Sequence, residues 1–150
     1  MVYLVDLRHA DPVKFDEIWL VVRSVGKAES LTRYSNVKHV PELSPSTNLF
    51  FQYRKWAKNG EWTRTTFRNC YVPQFLRDAD PEYNRDFHKS MLELAEKSET
   101  KDIALACFCK DEAMCHRSIL GAICIDNDIP IERPDVMKTY QREYRTDFRL

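Results

Sequence analysis

Apolar positions along this chain cluster with two spacings, one suited to strands and one to helices. Residues 2–7 form a short apolar run rich in strand formers. Residues 18–22 form a second, continuously apolar, as expected of a strand covered on both faces. Asp11-Pro12 breaks the chain between them. Residues 26–47 keep no period and contain Pro41 and Pro45, which predicts a long surface loop. Ser44 or Ser46 beside Pro45 then marks a helix start, with Leu49, Tyr53 and Trp56 on one face and a stop at Gly60. A further helical stretch over 62–71 places Phe67 and Tyr71 four apart, until Pro73 interrupts or ends it.

Asp80-Pro81-Glu82 combines a capping aspartate, a proline suited to the first turn and an acid near the positive end of the dipole. It predicts a helix from there to Lys97, with Phe87, Met91, Leu94 and Ala95 on one stripe. The strongest strand is 102–109. A turn, a helix over 116–126 and a short strand at 129–131 follow, and the tail from Asp135 is expected to be helical and partly exposed. Strands near both ends with helices between them imply an α/β layer architecture, in which 102–131 reads as a right-handed strand–helix–strand crossover.

Composition narrows the picture. A length of 150 residues suits a single domain spanning 1–150, large enough to bury its own core. Three glycines leave no room for a glycine-rich phosphate loop. The absence of a long apolar run or a signal-peptide pattern predicts a cytoplasmic protein with no membrane partner. Equal numbers of acidic and basic residues, 23 each, argue against duplex DNA as a partner. Five cysteines at uneven spacing read as reduced thiols. Cys70 and Cys124 fall on apolar helix faces and read as structural, while His9, His39 and His88 read as loop or surface histidines.

The other three cysteines crowd into Cys107-Phe-Cys109-Lys-Asp-Glu-Ala-Met-Cys115-His116-Arg117-Ser118. Cys107 and Cys109, two apart at a strand's carboxyl end, share one face. In open α/β sheets ligands lie beyond such ends. Cys115, His116 and Arg117 begin the next helix, where free backbone N–H groups and the dipole favour an anion. Arg117 can grip phosphate bidentately and His116 can carry a proton. Cys115, beside both, is the candidate nucleophile if the protein is an enzyme. The arginine follows the cysteine too closely to wrap a phosphate as protein phosphatases do. A tetrahedral metal set of Cys107, Cys109, Cys115 and His116 is disfavoured, because adjacent residues rarely reach one ion and no second paired spacing exists. No metal or other cofactor is therefore expected. The bland alternative treats the cysteines as small buried hydrophobes and His116 and Arg117 as helix-end partners.

These residues resemble the family called domain of unknown function 488, in a branch found in bacteria and phages. The pattern is a C-F-C strand end, a short acidic loop and C-H-R-S opening a helix, supported by Ser44-Pro45 before a helix and by Trp56, Trp62, Phe67 and Tyr71. The resemblance covers roughly 42–125, with Val22-Arg23 a looser match before it. It implies a small Rossmann-like α/β fold with a mostly parallel or mixed sheet and flanking helices. It implies no activity.

Between Phe50 and Tyr71 seven aromatics interleave with Arg54, Lys55, Lys58, Arg64 and Arg68. Aromatics stack on bases and cations meet phosphates, although the same spacing also fits two ordinary core-facing helices. Arg8 and Arg23, each near a strand end, are further candidates to reach the crevice. The expected ligand is a small anion, a nucleotide or nucleotide-like phosphorylated molecule, held by Cys107, Cys109, Cys115, His116, Arg117, Ser118, Arg8, Arg23, Tyr53 and Trp56. Pure binding, for instance sequestration of a nucleotide signal, is the first expectation. The alternatives are a nucleoside or nucleotide hydrolase or transferase using Cys115 or His116, aided by acids such as Asp6 or Glu112, and a zinc-stabilised interaction module. Oligomerisation stays open.

Overall fold

The computed structural model describes residues 1–150. Its centre is a parallel sheet of β1 (Val2–Asp6), β2 (Glu17–Leu20), β3 (Val37–His39) and β4 (Ile103–Cys107), in the order β1-β4-β2-β3. β4 lies in the interior, with Ile103 opposite Val2 on one side and Ala104 opposite Ile18 on the other. All of β4 is buried, which explains its unbroken apolar run: a parallel strand is covered on both faces.

Six helices flank the sheet: α1 (Thr47–Lys58), α2 (Arg64–Thr66), α3 (Val72–Asp78), α4 (Arg85–Lys97), α5 (His116–Asp126) and α6 (Pro134–Tyr144). A π-helical turn, Phe67–Tyr71, joins α2 to α3. α5 is buried along nearly its whole length, and α6 packs across it. Gly121 permits that approach, because a Cβ there would run into Met137 Sδ and lie 3.3 Å from Leu4 Cδ1. No helix is long and apolar enough to cross a membrane.

Strand order creates the crevice. The chain leaves β2 for β3 on one side, and leaves β4 for a bridge between Ile131 and Val2 on the other. Connections diverging from neighbouring strands leave a gap beyond their carboxyl ends, the topological switch point where α/β folds bind ligands.

Several boundaries differ from those the sequence suggests. The region 26–47 is not all loop: it contains 3₁₀ turns at Gly26–Arg33 and Pro41–Leu43 and the edge strand β3, too short and too polar to show a period. The expected strand at 129–131 is a single bridge. The helix expected at Asp80 begins at Arg85, because Asp80 Oδ1 accepts the Glu82 amide (2.9 Å) and closes a turn, leaving Asn84 to cap Phe87 N at 3.0 Å. Helix also continues through Pro73 to Asp78, since the wide turn upstream already departs from the pattern in which proline's missing N–H would matter. Cys70 is exposed on that turn rather than packed on an apolar face.

Candidate functional site

Beyond Cys107 the chain turns away from the sheet. Asp111 Oδ1 accepts the Ala113 amide at 3.1 Å and closes the 3₁₀ turn Glu112–Met114, which delivers Cys115 to the N-cap of α5. Cys115 is extended and its side chain makes no capping bond. Its sulfur instead joins those of Cys107 and Cys109, all three lying within 4.8 Å of one another and the latter two 3.8 Å apart.

The residues after Cys115 are committed to this cluster. His116 Nε2 lies 2.7 Å from the Val21 carbonyl. A carbonyl only accepts, so Nε2 carries a proton, and the other ring nitrogen, Nδ1, lies 3.6 Å from Cys115 Sγ. Arg117 donates from Nε to Cys115 Sγ (3.4 Å) and from Nη2 to the Cys109 carbonyl (2.6 Å). Its side chain is buried, and no carboxylate pairs with it. Ser118 Oγ donates to the Cys115 carbonyl and meets Tyr144 Oη, each at 2.8 Å.

This arrangement separates the thiols electrostatically. Burial opposes a charge on Cys115, but hydrogen bonds from Cys107 and Cys109 and the nearby His116 outweigh it, so its thiol sits well below the ordinary value. Hydrogen bonds to Cys109 and Cys115, then burial, push Cys107 up. For Cys109 the bond from Cys107 lowers the value, yet the bond to Cys115 and burial push it up to about 12. Burial lowers Arg117, and the Cys115 charge and hydrogen bond more than restore it.

A cavity of about 540 Å³ opens over these thiols. Cys107, Cys109, Cys115, His116 and Met114 form its floor. Phe50, Phe51 and Tyr53 from α1 form a wall with Trp62, Tyr71 and Phe108, and Arg23, Ser24, Pro45 and Thr47 form the rim. The wall rings are tilted against each other, with Tyr53 and Trp62 edge-on at 4.7 Å and Trp62 and Tyr71 at 5.4 Å. Tyr71 is buried, and burial followed by the charge of Cys115 raises its hydroxyl well above the usual value. Burial and the neighbouring cysteines raise Tyr53 in the same direction.

The structure therefore gathers Cys107, Cys109, Cys115, His116, Arg23 and Tyr53 around one space. Arg117 and Ser118 stand behind the floor, holding it rather than lining it. Trp56 lies outside, stacked on Trp62 at 6.0 Å, and Arg8 is paired with Asp6 away from the cavity. Glu112 is taken by Arg133 and Tyr140, so neither acid joins the floor. Of the interleaved cations, Arg64 pairs with Glu143. Phe108 and Met114 escaped the sequence reading, although an apolar residue between two strand-end cysteines was a signal for the first.

A parallel α/β sheet whose switch point carries a cysteine–histidine–arginine helix start defines the class. The chain belongs to the DUF488-N3a family, described as "Active DUF488-N3 subclade", with the match running over residues 3–127 and so taking in the whole cavity. No curated protein and no solved structure gives a significant match.

Proposed function

We propose that this protein binds a nucleotide or nucleotide-like phosphorylated small molecule, with the base against the aromatic wall and the phosphate toward Arg23. The observation that supports the reading is a cavity within the size range of small-molecule sites, aromatic on one wall and cationic at its rim. Arg23 uses one donor on the Pro45 carbonyl at 2.8 Å, and its guanidinium has others to offer. The five free thiols suit a reducing cytoplasm. In its simplest form the protein sequesters a nucleotide signal. Calorimetric titration with a panel of mononucleotides and cyclic nucleotides tests this. Saturable binding that weakens about tenfold in Arg23→Ala is expected, in line with a lost charged hydrogen bond. No binding by any member of the panel at millimolar concentration overturns it.

One observation favours turnover as well: His116 Nδ1 and Arg117 Nε both approach Cys115 Sγ. That geometry suits a thiol nucleophile with an adjacent proton acceptor, in a nucleoside or nucleotide hydrolase or transferase. The family's description as active is compatible with it. Under this reading Cys115→Ser keeps ligand binding and loses turnover by orders of magnitude. A variant that retains turnover removes the nucleophile from the mechanism.

A further inference from the structure

We infer that Cys107, Cys109 and Cys115 form a three-thiolate zinc site whose fourth coordination position opens into the aromatic cavity. Zinc binds sulfur at about 2.3 Å in tetrahedral geometry, which requires sulfurs about 3.8 Å apart. Cys107 and Cys109 already stand at 3.8 Å, and Cys115 lies within 4.8 Å of both, so a small inward movement completes the set. In sequence, zinc is disfavoured because His116 adjoins Cys115 as a fourth ligand and because no second paired spacing exists. The fold removes the first objection, because His116 Nε2 is tied to the Val21 carbonyl and the three sulfurs converge without the ring.

Charge is compatible with a divalent ion. Arg117 is a buried cation with no carboxylate partner, touching Cys115 Sγ and the Cys109 carbonyl. Buried charge is costly unless it is balanced. The charged Cys115 sulfur already faces the guanidinium, and three thiolates with one divalent cation carry the same single negative charge, so a divalent ion leaves that balance intact. A monovalent ion would leave an excess negative charge. Cys107 ends the buried strand and Cys115 caps the helix, while Cys109 lies on the loop between them with its carbonyl held by Arg117, so all three ligands are fixed at their backbone. Each ligand also lines the cavity, so the open position faces that space. Three protein ligands and one open position is the pattern of zinc sites that act on a ligand rather than brace a fold.

The inference does not rest on the nucleotide reading, and its test contains no nucleotide. Reduced protein, stripped with a chelator, is titrated with zinc in competition with a chromophoric chelator, and in parallel with cobalt(II) followed by absorption. One ion per chain is expected, with the thiolate charge-transfer and intense ligand-field bands of tetrahedral cobalt. Added imidazole should shift the ligand-field bands by taking the open position. Cys109→Ser, at a half-buried position, should weaken zinc binding about 100-fold or more, beyond the effect typical of outer-shell partners. Cys70→Ser, exposed on the π-helical turn, should leave it unchanged. Circular dichroism confirms that each variant is folded. Substoichiometric zinc after reconstitution, or wild-type affinity in folded Cys109→Ser, overturns the site, and an imidazole-silent cobalt spectrum overturns the open position.

Discussion

The cavity floor comes from one short stretch, residues 107–118, in which sulfurs, imidazole, guanidinium and hydroxyl all bond to one another or to backbone. Apart from Phe108, the facing wall is assembled from α1 and the segment 62–71, held by ring contacts with few hydrogen bonds, and leaves Phe51 54% exposed. A bonded floor fixes the position of its polar atoms, whereas rings in van der Waals contact can shift without breaking anything directional. The two sides are suited to different tasks: the floor to holding reactive or metal-binding atoms in place, the wall to adapting to a ligand's shape.

The sharpest way to break this comparison is Arg117→Ala. It strips the floor of its buried cation and leaves Cys115 and the Cys109 carbonyl without their partner, so stability should fall by about 3–5 kcal/mol in urea unfolding. A loss of a few tenths would mean the floor is not braced as described. Next comes Trp62→Ala, which removes the ring that touches Tyr53, Trp56, Phe67 and Tyr71. A half-buried ring should cost about 2 kcal/mol, below the range for a fully buried one. Nucleotide affinity should fall with it, read by calorimetry under conditions where the variant is folded.

Smaller effects sharpen the contrast. Tyr144→Phe deletes the hydroxyl bonded to Ser118 Oγ, behind the floor, and should cost about 1 kcal/mol of stability with ligand affinity unchanged. Phe51→Ala, at the exposed edge of the wall, should change stability by less than about 0.5 kcal/mol. It should nonetheless weaken nucleotide binding measurably. If Phe51→Ala leaves affinity intact while Tyr144→Phe lowers it, the assignment of tasks to floor and wall is reversed.

Local chemistry made the floor legible in the sequence. Cys107 closes a strand, which ends there rather than at the expected Cys109, Cys115 precedes a helix, and both signals are short-range, so the unit and its place at a switch point could be read directly. β4 and α5 were visible for the same reason: long apolar runs outvote their surroundings. β3 was not, because a three-residue edge strand with only Val37 buried carries no periodic signal and depends on its pairing with β2. Distance was the other obstacle. That Arg117 turns back to Cys115 and Cys109, while Arg23 reaches the rim from the bend after β2, is decided by tertiary packing that residue spacing does not record. Trp56 and Tyr53 share a helix face in sequence, yet Trp62 stands between Trp56 and the cavity.

The π-helical turn has a consequence of another kind. Val72 N reaches back five residues to the Phe67 carbonyl, so the turn holds one residue more than an α-helix needs there. Cys70, exposed on that turn like Arg68 and Asn69, is a residue it could lose at little cost to packing. Its deletion would let the helix close regularly and rotate the preceding segment by about 100° relative to α3. Trp62 and Phe67 would swing out of phase with Tyr71 while every side chain kept its identity. The wall can therefore be remodelled by length as well as by substitution, and a one-residue gap near position 70 in a relative would signal a differently shaped pocket over the same three sulfurs.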